Sequence, residues 1–322
     1  MTTPTRHDPA LARAALARYG LAPVRLDLLN DVRHLTYHVQ ADDGRRYTLR
    51  ITPVSEQAAR LLHDELAWLD FLAPHRLAVP APVRNRAGAL VTPVDPHPAL
   101  ACLFTWLDGQ PATAGLTPAA LADLGQTIAT LHRLARDFPL PAARPFRAGF
   151  YYDARLVADH RTWLAQPHAA RSAAQSAIVA AAITYTLDAF GRMASDPARA
   201  GLIHADIHLG NLILAGDRVA LIDFEQLGWG PFAYDLAVLH ADLAYHAPAT
   251  AQHWPALLAG YQRVAPLPYA TAADFAALLA AVHLAFLDWL YNTDSPAVWQ
   301  QQSPRIPATY AALTAILHDA HA

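Results

Sequence analysis

Three side chains stand out by type and spacing. His204-Ala-Asp206-Ile-His208-Leu-Gly-Asn211 sets an aspartate and an asparagine in the pattern His-x-Asp-x-x-x-x-Asn, and Ile222-Asp223-Phe224-Glu225 follows, its aspartate twelve positions after Asn211. Two carboxylates and an amide oxygen suit phosphoryl transfer. The transition state of that reaction is loose and highly charged, so catalysis is mostly positioning and charge neutralisation. One carboxylate must orient the attacking hydroxyl and accept its proton. A second carboxylate and an amide oxygen must hold a divalent cation against the phosphates. Asp206, Asp223 and Asn211 fit those three tasks. A lone His-x-Asp carries almost no information. The full spacing, followed by Asp-Phe after an apolar run, seldom arises by chance.

The elements that must position these residues are legible around them. Asp8 to Tyr19 reads as a helix closed by Gly20, and Thr36–Gln40 and Arg46–Ile51 read as a hairpin about the turn Ala41-Asp-Asp-Gly44. Pro53 and Ser55 open a helix that runs to Leu72. Ala89–Val94 and Leu100–Thr105 read as short strands. Thr117-Pro118 begins a helix to about Ala135, and further helices are expected around 153–165 and 170–194. Short β segments at Asn211–Leu214 and Val219–Ile222 meet at Gly216-Asp217, and helices return from Phe232 onward. The pattern predicts an α+β protein: a small β-rich N-terminal lobe over 1–103, then a connector and a larger, mainly helical lobe over 104–322. That is the bilobal layout of a protein-kinase-like fold, an analogy of architecture alone.

Composition narrows the partners. The chain has 322 residues, 54% hydrophobic and 16% charged, enough to bury a large core. A net charge of −3 provides no bulk basic field for nucleic acid or an acidic membrane. The single cysteine, Cys102, excludes an internal disulfide and a Cys-rich zinc site. Residues 1–9 show no apolar run of a signal peptide. Phe275–Tyr291 is apolar but contains His283 and Asp288, which favours a buried helix over a membrane span. A cytoplasmic monomer or homodimer is the expectation. The chain contains no lysine, so its 24 basic residues are all arginine and a Walker A loop is excluded.

With these motifs in place, the chain resembles the aminoglycoside phosphotransferase and choline kinase group. That group typically carries His-Gly-Asp-x-x-x-x-Asn, then Ile-Asp-Phe/Trp-Glu/Asp, then Tyr-Asp-Leu-Ala. Here the elements are His204-Ala-Asp206…Asn211, Ile222-Asp223-Phe224-Glu225 and Tyr234-Asp235-Leu236-Ala237. The resemblance runs from about residue 25 to about 290 and is strongest over 201–237. It implies ATP and Mg²⁺ as cofactors, Asp206 as catalytic base, and Asn211 and Asp223 as magnesium ligands. It implies structural support from His204 and Asp235, and a place for Glu225 at a second metal or at the acceptor.

The N-terminal lobe departs from the group. A strand lysine usually holds the nucleotide phosphates, and here Arg50 occupies that place, with Glu65 as its expected helix partner. Leu49 and Ile51 would face the opposite side of the strand. The phosphate-covering loop is expected at Asn30-Asp31-Val32-Arg33-His34 and has no glycine. Phe104 and Trp106, in the connector Phe104-Thr105-Trp106-Leu107, would serve adenine through their backbone, over an apolar floor of Ile213 and Ile222.

The acceptor is the least legible part. Glu225, Trp229, Tyr234, Asp288 and Trp289, with Phe232 and Tyr291, form an aromatic and acidic set able to surround a cationic amine, or else they pack the core. A small-molecule hydroxyl such as an amino alcohol, homoserine-like or sugar-like compound is the first expectation, and a protein Ser/Thr hydroxyl the second. Two other readings remain open. His204 and His208, with His63-Asp64 or His318-Asp319, would suit a metal-dependent hydrolase. The missing lysine and glycines would suit a nucleotide-binding pseudokinase.

Overall fold

The computed structural model describes residues 9–31, 34–94, 98–113, 115–139, 162 and 171–320. They fall into two compact units. The first comprises the described residues of Met1–Gly109 together with Ala220–Glu225. The second comprises those of Gln110–Pro139, Ala148–Val219 and Gln226–Ala322.

The first unit is an antiparallel sheet with two helices. Its helix α1 (Pro9–Tyr19) ends where Gly20 takes a φ of 76°, a left-handed conformation that costs glycine nothing. The strands β1 (Pro23–Asn30), β2 (Leu35–Ala41) and β3 (Arg46–Pro53) follow, then α2 (Glu56–Leu72), β4 (Pro82–Val83), β5 (Thr92–Pro93) and β6 (Ala99–Thr105). The sheet order is β1-β2-β3-β6-β4, with β5 also pairing with β6. Arg50 lies on the interior strand β3, opposite Thr36 on one side and Cys102 on the other. Leu49 and Ile51 point the other way, into a core with Tyr37, Val39, Leu103 and the α1 residues Ala12, Ala15 and Leu16. In α2, Ser55 caps the first turn through its hydroxyl, and Leu62, Leu66, Leu69 and Leu72 form the buried face at helical spacing.

One expected strand is mostly a turn. Of Ala89–Val94, only Thr92–Pro93 pairs as a strand. The Asn85 side-chain oxygen accepts from the N–H groups of both Ala87 and Ala89, at 3.0 Å each, and Gly88 sits at a φ of 79°. This local bonding satisfies the backbone without a ladder.

The second unit is mainly helical. It contains β7 (Gln110–Pro111), α3 (Pro118–Ala135), α4 (Ala173–Ala194), β8 (Ala200–Ile203), β9 (Leu212–Ala215) and the start of β10 (Arg218–Leu221), whose end belongs to the first unit. Then come β11 (Gly228–Pro231), α5 (Ala233–His246), a helical turn at Pro248–Ala251, α6 (Trp254–Gln262), α7 (Ala272–Tyr291), α8 (Pro296–Gln302) and α9 (Ile306–Asp319). The helix expected around 153–165 lies outside the described residues. Sequence reading missed the ribbon that β8 forms with β11, four residues each and rich in glycine and proline, so without a strand signature. Helices α3 and α6 approach closely because Gly125 and Gly260 carry no Cβ: one built there would lie 2.1 Å from the Leu257 carbonyl oxygen or 2.0 Å from that of Ala122.

By length and composition, α4 and α7 are each apolar enough to cross a membrane. In the structure α7 packs on α4, α5 and α9 and buries Ala277, Leu278, Ala281, Leu284, Leu287 and Leu290.

Candidate active site

In the second unit, β8 delivers the chain into a loop that ends in a single 3-10 turn, Leu209–Asn211. Asp235, in the first turn of α5 and fully buried, organises the start of this loop. Its Oδ2 accepts from the His204 N–H at 3.1 Å and its Oδ1 from the Ala205 N–H at 2.6 Å. His132 of α3 adds its Nε2–H to Oδ2 at 3.0 Å, and its Nδ1 accepts from the Tyr261 hydroxyl at 2.9 Å. Burial raises the Tyr261 pKa, so that hydroxyl keeps its proton and remains a donor. His132 was not singled out in the sequence. Its position on α3 carries no motif, and only the fold brings it to Asp235.

Ala205 has a φ of 64°. A residue with a Cβ persists there only when its surroundings hold it, and here two successive N–H groups are turned onto one carboxylate. The same position is glycine in the pattern the sequence resembles. Ala205→Gly is therefore expected to raise stability by about 0.5–1 kcal/mol, relieved strain outweighing the added freedom of the unfolded chain. Chemical denaturation would measure it, and a loss of stability would mean that Ala205 is not strained.

The rest of the loop is held as tightly. The Asp206 N–H points to His204 Nδ1 at 3.3 Å. The Leu209 N–H donates to Asp242 of α5 at 2.9 Å, and the Gly210 N–H to His208 Nδ1 at 3.1 Å. Asn211 Nδ2 donates to both the Asp206 carbonyl at 2.9 Å and Asp206 Oδ2 at 3.2 Å. Both neighbours of that nitrogen are acceptors, which fixes the amide orientation and turns Oδ1 away from Asp206. His208 Nε2 stands 3.7 Å from Asp206 Oδ2. Burial pushes the Asp206 carboxyl up, but the hydrogen bond and charge of His208, the charge of His204 and the Asn211 amide outweigh it. The net pKa is below the ordinary value.

The hairpin between Asn211 and Asp223 is anchored on α3. Asp123 accepts from the Val219 N–H at 2.8 Å and pairs with Arg218 at 3.1 Å, while the Thr117 hydroxyl donates to Asp217 at 2.8 Å.

The first unit carries the second cluster. Arg50 and Glu65 form a two-pronged pair, Nη1 to Oε1 at 3.1 Å and Nη2 to Oε2 at 2.5 Å, both side chains buried. Burial works against the guanidinium charge, Glu65 outweighs it, and the Arg50 pKa is held well above its usual value. The Phe104 ring lies under the guanidinium at 5.2 Å. Glu225 Oε1 accepts from Arg50 Nη1 at 3.2 Å and from His34 Nε2 at 2.7 Å. Sequence reading had set Glu225 beside a metal or the acceptor and did not foresee its contact with Arg50, which spans 175 residues of chain. Asp223 is exposed and left-handed, at a φ of 62°, and its Oδ1 lies 3.4 Å from the Glu225 N–H. Of the loop at 30–34, Val32 and Arg33 fall outside the described residues.

The residues that the sequence suggests for adenine and for the acceptor stand in several places. In the connector, the Thr105 N–H donates to the Ala81 carbonyl at 2.9 Å and the Trp106 N–H to the Arg46 carbonyl at 3.2 Å. The Trp106 ring meets His38 edge-on at 4.5 Å. Ile213 stands opposite Pro111 in the second unit, and Ile222 is half-buried in the first. Phe232 is fully buried and stacked on His132 at 4.6 Å, Tyr234 is buried edge-on to Phe190 at 5.9 Å, and Tyr291 is buried against Trp299 at 5.8 Å. These rings pack the core. Trp229 is half-buried on β11, and Asp288 accepts from Asn292 at 2.6 Å. Trp289 is 44% exposed. Among the described residues, no three His, Cys, Asp or Glu side chains converge as a metal cluster of the hydrolase type. His318 and Asp319 lie exposed at the end of α9.

The model of the phosphotransferase enzyme family matches residues 26–270. A homoserine kinase of Methylobacterium radiotolerans is 31% identical over 255 residues, covering 74% of this chain and 73% of that protein. A homoserine kinase of Neisseria meningitidis serogroup B is 29% identical over 243 residues, covering 73% and 72%. Among solved structures, a microcompartment-associated aminopropanol kinase superposes with a TM-score of 0.73 at 25% identity, over 96% of this chain and 95% of that one. The amicoumacin kinase hAmiN, in complex with AMP-PNP, Ca²⁺ and Ami, superposes with a TM-score of 0.72 at 17% identity, over 97% and 94%, a likeness of fold alone. By its match over most of its length, the chain belongs to the phosphotransferase enzyme family and is an alcohol-group kinase.

Proposed function

We propose that the chain transfers the γ-phosphate of ATP to the hydroxyl of a small amino alcohol or hydroxy amino acid, a compound of the homoserine or aminopropanol type. The observation that carries the reading is the Asp206–Asn211 pair. Asn211 locks the orientation of Asp206 through two hydrogen bonds from one nitrogen and keeps its oxygen for another partner. A carboxylate so held, with its pKa lowered, is ionised at neutral pH and ready to orient a hydroxyl and take its proton as the phosphoryl group departs from ATP.

The resemblance assigns a magnesium ion to Asn211 and Asp223, and the donor type of each suits it. Asn211 offers an amide oxygen and Asp223 an exposed carboxylate, the oxygen-only donor class that Mg²⁺ takes. When bound, the ion neutralises charge on the nucleotide phosphates. Arg50, gripped by Glu65 as a strand lysine is gripped in kinases, supplies the fixed cation for those phosphates. The names of the relatives favour the acceptor class: several are homoserine kinases, and the aminopropanol kinase has an acceptor that is also an amino alcohol.

The test is a Mg·ATP assay on a panel of L-homoserine, 3-aminopropan-1-ol, choline, a monosaccharide and a Ser/Thr-rich protein mixture, reading ADP and phosphorylated product. Turnover on an amino-hydroxyl compound at least tenfold above the sugar and the protein mixture is expected. Phosphate entering polypeptide with no small-molecule product would overturn the acceptor assignment.

A further inference from the structure

Glu225 takes an Arg50 donor that a phosphate oxygen could also use. A guanidinium has five N–H donors. On Arg50, Glu65 takes one from each terminal nitrogen, and Glu225 takes the second one on Nη1 at 3.2 Å. Arg50 Nε is buried with no hydrogen-bond partner among the described residues. Two carboxylates therefore face one guanidinium whose side chain is only 10% exposed, and Glu225, at 21%, is the more exposed of the two acids. Glu65 cannot be spared. It is the buried, two-pronged partner, and removing it would leave a desolvated cation. Glu225 makes a single bond to Arg50 and shares the same oxygen with His34. Of the two acids, it is the less deeply buried.

We propose that Glu225 is a carboxylate competitor of nucleotide phosphate for Arg50: it takes one terminal N–H of the guanidinium and gives that donor up when ATP binds there. The proposal rests on Arg50 as the phosphate-holding cation of the kinase reading. In this role Glu225 is a positioning residue. It shares the Arg50 guanidinium with Glu65 and opposes polyphosphate until displaced. The opposition should be greatest for ATP without a divalent cation, whose full negative charge meets the Glu225 carboxylate directly.

The experiment is calorimetric ATP binding to the full chain, with EDTA and separately with Mg²⁺, for the parent, Glu225→Gln, Glu225→Asp and Arg50→Met, each checked by thermal melting. Glu225→Gln keeps the shape and removes the charge. It is expected to tighten metal-free ATP binding about tenfold, the scale of one hydrogen bond between charged groups. Glu225→Asp, one methylene too short to hold Arg50, should shift in the same direction, so the test does not depend on one variant. A merely structural role predicts the opposite sign, since loss of a structural contact weakens binding. If Arg50→Met weakens Mg·ATP binding while neither Glu225 variant tightens metal-free binding, the competitor role is overturned and the kinase site is retained. If Arg50→Met leaves Mg·ATP binding unchanged, Arg50 is not a phosphate ligand, and both the competitor role and that part of the site reading are overturned.

Discussion

Asp206→Asn is expected to lower kcat about a thousandfold while nucleotide affinity stays within about twofold of the parent, the usual scale for loss of a general base. Asparagine preserves the volume and leaves an oxygen able to accept from Asn211 Nδ2, so the loop geometry survives the change. It removes the negative charge that, in the proposed mechanism, orients the acceptor hydroxyl and receives its proton. The acid limb of the kcat profile gives a second readout. The net lowering of the Asp206 pKa keeps the carboxylate ionised above its folded value, so activity that depends on it is lost only as pH falls below the ordinary carboxylate range. Steady-state kinetics and calorimetry on the parent and the variant check both statements. A variant with unchanged turnover would remove Asp206 from the chemistry.

The second large effect is structural in origin and catalytic in consequence. Asp235→Ala should destabilise the protein by about 3–5 kcal/mol and abolish transfer. The carboxylate is fully buried and accepts three hydrogen bonds, from the backbone of His204 and Ala205 and from His132. Alanine leaves all three donors desolvated, and nothing then holds Ala205 in its left-handed conformation, so the loop that presents Asp206 loses its path. Denaturant unfolding followed by circular dichroism measures the first effect. A loss below about 1 kcal/mol would show that the loop is held by other contacts. His132→Gln, which removes one donor and keeps a polar group, should cost less and retain part of the activity, a gradation expected if Asp235 is the hub.

The two effects follow from where each residue stands along the chain. Asp206, Asn211 and Asp223 lie close together in sequence, within a loop and a hairpin whose turn at Gly216 needs a positive φ. Their types and spacing alone therefore pointed to phosphoryl transfer. Helices were equally legible where capping and apolar spacing agree: α3 begins at Pro118 after the Thr117 cap and ends at Ala135, as its residues indicate. Strand β3 set Leu49 and Ile51 against Arg50 because a strand alternates its faces.

What the sequence by itself determined was local: the helix caps, the hairpin turns and the family pattern that joins them. Only the tertiary structure decided the long-range partners. His132 reaches Asp235 across 103 residues, and Glu225 reaches Arg50 across 175. Which aromatic rings pack the core was also decided there: Phe232, Tyr234 and Tyr291 are buried and Trp289 is exposed, although all four are aromatic residues in a helical region. The physical reason is range. Backbone preferences, caps and periodicity act over a few residues and are written in neighbouring letters. Burial and charge pairing depend on which distant elements are folded together, and no local pattern encodes that. Arg50 shows the division most clearly. Its place on an interior strand was legible, but that two acids hold it, and that one of them sits deeper than the other, emerged from the fold.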